Sequence, residues 1–162
     1  MLRSQLYLLY IQNTNERRGV QMDESFLHNC LFFTTNRLSR AITKMAEEQF
    51  APTGLTPMYG YLIRLVIGNP GIAQKELAEK LYITASTLTR FIDKLEGKQL
   101  VERKVQGKTV LVYPTEKGKQ LEGAIRGASA NFKKQYEALI GSEEAAQLSA
   151  LQERISEKLE KQ

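Results

Sequence analysis

The sequence predicts a mostly α-helical protein with one small β-hairpin. Apolar residues recur at helical spacing over most of the chain and define six helical segments. Two short β-type runs stand between the fourth and the fifth of these segments. A chain of 162 residues suits one compact domain, or one small domain with helical extensions.

The first predicted helix is long and amphipathic and runs from Asp23 to Phe50. The segment Ala51–Gly54 contains proline and glycine and ends it. Thr56 and Pro57 then supply a hydroxyl cap and a proline at the first helical position. They begin a short, strongly apolar helix over residues 58–67.

Two short helices joined by a tight turn come next. The first covers residues 72–81, and Tyr82-Ile83-Thr84 forms the turn. Thr84 can cap the second helix, which reaches about Gly97. The inward positions of this second helix are spaced three, one and three residues apart: Leu88, Phe91, Ile92 and Leu95.

The β-type runs cover residues 100–105 and 109–113. Gln106-Gly107-Lys108 separates them, and its glycine suits a hairpin turn. The order of two helices, tight turn and hairpin is that of a winged helix-turn-helix.

Two long helices end the chain. Thr115 caps the first, which ends at Gly141, and Ser142 begins the second. The apolar stripes of the terminal helices are too long for one small core, so we expect them to face a second subunit; the alternative is an antiparallel pair within one chain. The predicted regions are a tail (1–21), a dimerisation helix (22–55), a winged helix-turn-helix lobe (56–114) and dimerisation helices (115–162).

Positive charge is concentrated in one window. Residues 84–119 carry eight basic and four acidic side chains, so +4 of the net charge of +5 falls there. Clustered Lys and Arg indicate a polyanion partner. The alternative is a solvated basic surface.

The outward face of the second short helix is polar and basic, as a helix that enters a DNA major groove requires. Arg90 is long enough for a bidentate contact to guanine, and Lys94 suits a phosphate. On the helix, the predicted DNA-binding residues are Thr84, Ala85, Ser86, Thr87, Thr89, Arg90 and Lys94; on the hairpin they are Arg103, Lys104, Gln106 and Lys108.

Five motifs in register resemble the MarR family of winged-helix regulators, from about residue 25 to the end of the chain. They are Gln74–Leu81, Ser86–Arg90, Asp93–Glu96, Leu100–Arg103 and Thr115–Gly118. The resemblance implies a homodimer, joined through the first and last helices, that binds a pseudo-palindromic operator in double-stranded DNA and usually represses. It also implies a ligand or an oxidant that loosens DNA binding.

The chain departs from the family pattern in three places. The family's wing usually carries Asp-x-Arg, but the hairpin tip here (residues 104–108) has no arginine beyond Arg103. Because lysine is more strongly hydrated than arginine, this wing is expected to add phosphate affinity more than sequence reading. The glycine usual after the recognition helix is replaced by Gln99, and Tyr82 occupies a turn position where glycine is frequent.

Two sensing sites are conceivable. Cys30 lies near the place where peroxide-sensing relatives keep a cysteine, but it also falls on the apolar stripe, where an inert thiol is the ordinary case. The alternative is a pocket in which arginine pairs with a small anionic aromatic ligand. Its candidate lining is Phe33, Arg37, Arg40, Tyr59 and Tyr61.

Other classes are disfavoured. One histidine (His28), one cysteine and no glycine-rich loop leave little material for catalysis, a metal site or a cofactor. A winged helix that binds protein would show an apolar or acidic recognition face. The single cysteine and the lack of a long apolar run indicate a cytoplasmic protein without a membrane span.

The first 21 residues are expected to be a tail or a translated leader. Arg17-Arg18-Gly19 can be encoded by a purine run like a ribosome-binding site, at a suitable distance before Met22. Other arginine codons there, or a peptide from before Met22 in cell-made protein, would exclude the leader.

Overall fold

The computed structural model describes residues 24–161, which divide into two compact units, a first that ends at Ala41 and a second that begins at Ile42. The predicted tail and the predicted start at Met22 lie outside the described residues. Most of the described chain is helical. Its helices are α1 (Ser25–His28), α2 (Leu31–Phe50), α3 (Pro57–Gly68), α4 (Gln74–Lys80), α5 (Ala85–Gly97), α6 (Glu116–Gln120), α7 (Glu122–Ile140) and α8 (Ser142–Glu160), with a 3₁₀ turn at Ala51–Thr53; the strands are β1 (Ile72–Ala73), β2 (Val101–Gln106) and β3 (Thr109–Pro114).

In the first unit, the single helix predicted from Asp23 is wrong, because the chain leaves the helix between α1 and α2. Asn29 donates its backbone N–H to the Ser25 carbonyl at 3.0 Å and closes α1. Asparagine competes poorly for helix interiors because its side chain can bond to the local backbone. The backbone N–H and the hydroxyl of Thr34 both donate to the Cys30 carbonyl, each at 3.0 Å, at the start of α2.

The core of the second unit collects the apolar faces of α2, α3, α5, β3 and α7. Its largest fully buried side chains include Phe50, Leu62, Leu88, Val112 and Ile125. Burial of one such side chain contributes about 1.5–3 kcal/mol to folding. The buried face of α5 therefore sets which of its side chains remain outside.

The sheet has three antiparallel strands in the order β1-β3-β2. The predicted helix over residues 72–81 is wrong at its start, because Ile72 pairs with Val112 as a strand residue and α4 begins only at Gln74. Gly71 makes this possible: it lies at φ 86° and donates its N–H to the Val112 carbonyl at 2.9 Å. The hairpin turn has two residues, with Gly107 at φ 62°, rather than the three predicted.

The cap predicted at Thr115 is confirmed, since its hydroxyl accepts a hydrogen bond from the N–H of Gly118 at 3.0 Å. The long helix predicted to follow it is interrupted. Leu121 donates its N–H to the Gly118 carbonyl at 3.1 Å, three residues back, and so separates α6 from α7. The end of α7 before Gly141 and the start of α8 at Ser142 agree with the prediction.

Over the described residues, no helix has the length and apolar content needed to cross a bilayer.

Candidate nucleic-acid interface

The N-terminal end of α5 carries a cluster of hydroxyl groups. Thr84 caps the helix by accepting the N–H of Thr87 at 3.2 Å. Its hydroxyl also lies 3.1 Å from the Ser86 hydroxyl and donates to the Thr87 hydroxyl at 2.9 Å. Ala85 and Ser86 are exposed beside it. A capped helix end with small side chains presents its remaining N–H groups to an approaching anion.

Thr89 is held by a residue that sequence reasoning missed. Its hydroxyl donates to the Ala85 carbonyl at 2.9 Å and accepts from the amide of Gln74 at 2.8 Å. Gln74 is the first residue of α4, so it ties the first helix of the helix-turn-helix to the exposed face of the second. Its polar side chain beside a predicted turn was the available signal, but the pairing depends on how the two helices cross.

Arg90 and Lys94 lie one turn apart on the outer side of α5. Both are exposed, whereas Leu88, Ile92 and Leu95 of the same helix are buried. Neither cation makes an ion pair or a hydrogen bond with any residue from 24 to 161. Their charges are therefore available to an external partner.

Arg103 occupies a different position from the other predicted contacts. Its guanidinium meets Asp93 at 2.7 Å and Glu96 at 2.8 Å and donates to the Thr89 carbonyl at 3.0 Å. Its backbone N–H donates to the second oxygen of Glu96 at 2.8 Å. The side chain is 23% exposed, and its Nε is buried without a hydrogen-bond partner among the described residues. Arg103 thus fastens β2 to α5, and its predicted DNA contact remains a prediction.

The wing offers cations of two kinds. Lys104 pairs with Glu102 at 2.9 Å and lies 4.8 Å from the centre of the Tyr113 ring. The hydrogen bond and the charge of Glu102 raise the pKa of Lys104. Lys108, at the exposed turn beside Gln106, has no ion-pair partner among residues 24–161. The wing also exposes Val105 (76%), an apolar side chain that the sequence analysis did not single out.

A groove of about 1030 Å³ joins the start of α5 to the wing tip. It runs along α4 and past the turn to β3, with Glu160 of α8 at its edge. Its lining includes Lys75, Thr84, Ala85 and Lys108. The groove brings predicted residues of the helix and of the wing to one surface and adds Lys75 to them.

The two positions where glycine was expected have the backbone that favours glycine. Tyr82 lies at φ 52° and Gln99 at φ 60°, the two non-glycine residues with positive φ in the described chain. Each of the two directly follows the C-cap of a helix. The residue after it then donates its N–H back to a carbonyl of that helix, Ile83 to Ala78 at 3.1 Å and Leu100 to Leu95 at 2.9 Å. This is the Schellman ending, whose left-handed residue is usually glycine.

Tyr82 makes a second contact, with α8. Its hydroxyl lies 3.4 Å from a carboxylate oxygen of Glu153. The nearby negative charge of Glu153, with smaller contributions from Glu160 and Glu157, raises the pKa of Tyr82.

The C-terminal end of α5 is fastened by the segment after the wing. Thr115 donates its hydroxyl to the Gln99 carbonyl at 2.7 Å, and the Lys117 ammonium donates to the Lys98 carbonyl at 2.9 Å. Gly118 packs so closely that an added Cβ would overlap the Leu100 carbonyl oxygen. The sequence indicated the cap at Thr115 but not these contacts.

The candidate sensing residues are distributed over both units. In the first, Cys30 and Phe33 are half-buried and Arg37 and Arg40 are exposed. In the second, the Tyr59 ring meets Phe91 edge-on at 5.0 Å, and the Tyr61 ring lies 5.4 Å from Phe50. The two tyrosines therefore contact different aromatic partners, and the pocket predicted from the five residues remains a prediction.

Comparison with known proteins gives a consistent picture. The MarR family model matches residues 62–105, from α3 through most of β2. An HTH-type transcriptional regulator of Bacillus subtilis (strain 168), YybA, is 30% identical over 128 residues, which are 76% of this chain and 85% of that protein.

Two solved structures share the fold. The transcriptional repressor CouR bound to a 23-mer DNA duplex has a TM-score of 0.75 at 22% identity, covering 85% of this chain and 99% of that one. The regulator PcaV of Streptomyces coelicolor, in complex with its natural ligand, has a TM-score of 0.73 at 18% identity, covering 81% and 94%. With its winged helix-turn-helix, its match to the family model and its similarity to YybA, the chain belongs to the MarR family of transcriptional regulators.

Proposed function

We propose that this protein is a homodimeric transcriptional repressor that reads a pseudo-palindromic operator in double-stranded DNA. One observation carries the proposal: α5 buries Leu88, Ile92 and Leu95 and leaves Arg90 and Lys94 exposed and without a described partner beside the hydroxyl cluster. Ordinary amphipathic helices also expose polar residues, but here the polar and basic face belongs to the second helix of a helix-turn-helix, which is the helix that enters a major groove.

The roles of the α5 residues follow from their positions. Thr84, Ala85, Ser86 and Thr87 let the helix end approach a phosphate closely. Arg90 lies one turn further in, where a bidentate contact to guanine O6 and N7 is within reach. Lys94 and Thr89 flank it, and Gln74 holds the Thr89 hydroxyl in place. CouR, solved on a DNA duplex, supports this mode of binding.

The wing adds affinity that depends little on sequence. Lys108 and Gln106 sit at the exposed turn, and Lys104 keeps its charge while paired with Glu102. Lysine ammonium groups meet phosphates as point charges. Arg103 has an indirect role: its ion pairs with Asp93 and Glu96 hold the wing strand β2 against α5 and so position the wing.

Dimerisation is proposed from apolar side chains that folding leaves in water. In the first unit Phe26, Leu31 and Phe32 are exposed by 62–77%. In the second unit the end of α7 and the helix α8 expose four more: Leu139, Ile140, Leu151 and Leu159. Contiguous exposed apolar residues mark association surfaces. A two-fold dimer places its recognition helices about 34 Å apart, one turn of DNA.

The test measures fluorescence anisotropy of a labelled duplex that spans the promoter region of the protein's own gene. A scrambled duplex of equal length and composition is the competitor. We expect Arg90→Ala to cost about 1–3 kcal/mol on the promoter duplex and to leave binding to the scrambled duplex nearly unchanged. Lys80→Ala, which removes an exposed cation of α4 that pairs with Glu76, is the matched control.

Equal losses on the two duplexes would contradict base reading by Arg90. A wild-type protein that does not discriminate between them would contradict sequence-specific recognition. Sedimentation velocity at the same protein concentration tests the dimer, and a monomer at saturating DNA binding would contradict the two-fold model.

Repression is further proposed to be released by a signal, a small anionic aromatic ligand or an oxidant. The ligand is supported by PcaV, solved with its natural ligand, and by CouR, solved with p-coumaroyl-CoA. The oxidant would act on the half-buried thiol of Cys30. Peroxide that releases DNA from the wild type and equally from Cys30→Ser would exclude the thiol as the sensor. The cytoplasm is the proposed location, since that is where a DNA operator lies in bacteria.

A further inference from the structure

Thr89, in the second turn of α5, is held by two other elements of the lobe. Its hydroxyl donates to the Ala85 carbonyl at 2.9 Å and accepts from the side-chain amide of Gln74, in α4, at 2.8 Å. Its own carbonyl accepts a hydrogen bond from the guanidinium of Arg103, in β2, at 3.0 Å. Thr89 is exposed, yet these contacts leave its side chain little freedom to lose when DNA binds.

The direction of each hydrogen bond of the Thr89 hydroxyl is set by its partner. A backbone carbonyl can only accept, so the single hydroxyl hydrogen is used by the bond to Ala85. The hydroxyl oxygen must then accept on its other side, where it meets the amide nitrogen of Gln74. While these bonds are intact, Thr89 has no hydrogen to donate to a base.

The methyl group of Thr89 can still distinguish one base from another. A threonine in a helix has two common rotamers, and the bonds of its hydroxyl fix which one it adopts, and with it the direction of the methyl group. In the major groove only thymine presents a methyl group, at C5, and a threonine methyl can read it by apolar contact. Thr89 directly precedes Arg90, within the part of a recognition helix that contacts base edges.

We propose that Thr89 reads one thymine in each half-site of the operator, through contact between its methyl group and the C5 methyl of the base. Gln74 is a positioning residue, which acts by fixing the Thr89 hydroxyl. The inference rests on the proposed function, because it assigns a base to one position of the same recognition helix. Each half-site then contains a thymine read by Thr89 beside the guanine read by Arg90.

The test replaces every thymine of the promoter duplex with deoxyuridine, which removes the C5 methyl and leaves the pairing edge unchanged. Fluorescence anisotropy with the full chain gives the ratio of the affinities for the thymine and the uracil duplex. For the wild type we expect a preference of about tenfold for the thymine duplex, because each of two half-sites loses an apolar methyl contact. Replacing the thymines one at a time should locate the loss at symmetric positions of the two half-sites.

Two variants separate the methyl group from the hydroxyl. Thr89→Ser removes the methyl and keeps the hydroxyl, so its preference for the thymine duplex should fall to about twofold or less. Thr89→Val keeps the branched shape and a methyl group and should retain most of the preference. Thr34→Ser, in α2, is the matched control: its hydroxyl also donates to the carbonyl four residues back, and the variant should keep the wild-type ratio. Thermal melts check that all three variants are folded.

Gln74→Ala tests the positioning role. Without its amide the Thr89 side chain is less restrained, so the thymine preference should fall by about twofold to threefold. Lys75→Ala, at the next position of α4, should weaken binding to both duplexes alike and leave their ratio unchanged. A wild-type ratio in Gln74→Ala would overturn the positioning role of Gln74.

The remaining outcomes decide the inference itself. A wild-type preference in Thr89→Ser would overturn reading by the methyl group, and so would a preference that is lost in Thr89→Val. A wild type that binds the thymine and uracil duplexes alike, but discriminates the promoter from the scrambled duplex, would overturn the inference and leave the proposed function standing. Equal binding to the promoter and scrambled duplexes would contradict the proposed function.

Discussion

The two ends of the recognition helix α5 are held in different ways. At the N-terminal end, Thr84 caps the helix with its own hydroxyl, and the neighbouring hydroxyls bond within the same turn. At the C-terminal end, side chains from outside the helix do the work: Arg103 from the wing, and Thr115 and Lys117 from the segment after it. The N-terminal end is thus stabilised by hydroxyl groups of its own first turn, whereas the C-terminal end is stabilised by side chains from the wing and from the segment after it.

The cations of this lobe also divide into two kinds, those that can contact DNA and those that hold the fold together. Arg90 and Lys94 lie on the outer side of α5 and have no described partner, so their charges can meet DNA without first breaking an internal contact. Arg103 has two carboxylates and a carbonyl, and a DNA contact would have to replace them. Substitutions of the unpaired cations and of Arg103 should therefore affect different measurements.

The largest effect is expected for Gly118→Ala. The added Cβ would overlap a backbone oxygen of Leu100, which cannot rotate away, so we expect a loss of about 2–3 kcal/mol in the free energy of unfolding. Urea denaturation followed by circular dichroism measures it. Gly127→Ala is the control: nothing lies within 4 Å of its Cβ, and alanine there should stabilise α7 by up to about 1 kcal/mol. A Gly118→Ala protein with wild-type stability would show that Gly118 does not pack tightly against Leu100.

Arg103→Gln should distinguish an effect on stability from an effect on DNA contact most clearly. Removal of the guanidinium leaves Asp93 without its partner and Glu96 with only the backbone N–H at this position; because the site is partly exposed, we expect a cost of about 1–2 kcal/mol in stability. Arg90→Gln should leave stability within about 0.5 kcal/mol and weaken only DNA binding. Chemical denaturation and anisotropy on both variants test this, and an Arg103→Gln protein of wild-type stability would remove its positioning role.

Gln99→Gly sharpens the comparison in the stabilising direction. The backbone of Gln99 at positive φ destabilises the folded state by about 1–2 kcal/mol, a cost that glycine avoids. Glycine also makes the unfolded chain more flexible, which offsets part of this benefit, so a net gain of about 0.5–1 kcal/mol in stability is expected. Tyr82→Gly should gain less, because it also removes the contact with Glu153. Thermal melts of the two variants compare them, and a destabilised Gln99→Gly protein would mean that the side chain of Gln99 makes a stabilising contact.

The smallest effect is expected in the wing and concerns the salt dependence of DNA binding. Lys108→Gln should reduce the slope of log K against log salt by about 0.9, since one phosphate contact is lost. Lys104→Gln should reduce it by less, because Glu102 already balances that charge at 2.9 Å. Anisotropy titrations at several salt concentrations measure both slopes, and a larger change for Lys104→Gln would reverse the assignment.

Features set by neighbouring residues were predictable. The cap at Thr84, the buried stripe of Leu88, Ile92 and Leu95 and the turn at Gly107 follow from local geometry and periodicity, and the structure confirms them. The glycine-favouring backbone at Tyr82 and Gln99 was indicated by comparison with the family pattern.

Features that join distant segments were not predictable. The bond from Gln74 to Thr89 spans 15 residues, and the strand at Ile72 exists only because Val112 pairs with it. An open cleft between α3 and α7 is lined by Arg64 together with Arg126 and Lys133, which the sequence places 62 and 69 residues further along the chain.

By itself, the sequence determined the order of the main helices and the hairpin, the buried stripe of α5 and the family to which the chain belongs. Only the tertiary structure decided which cations are unpaired and which form ion pairs within the protein, because that depends on carboxylates that packing brings within about 3 Å. Arg90 and Arg103 look alike as residues in one basic window. The side on which the core places each of them makes one available to DNA and the other a fastener of the fold.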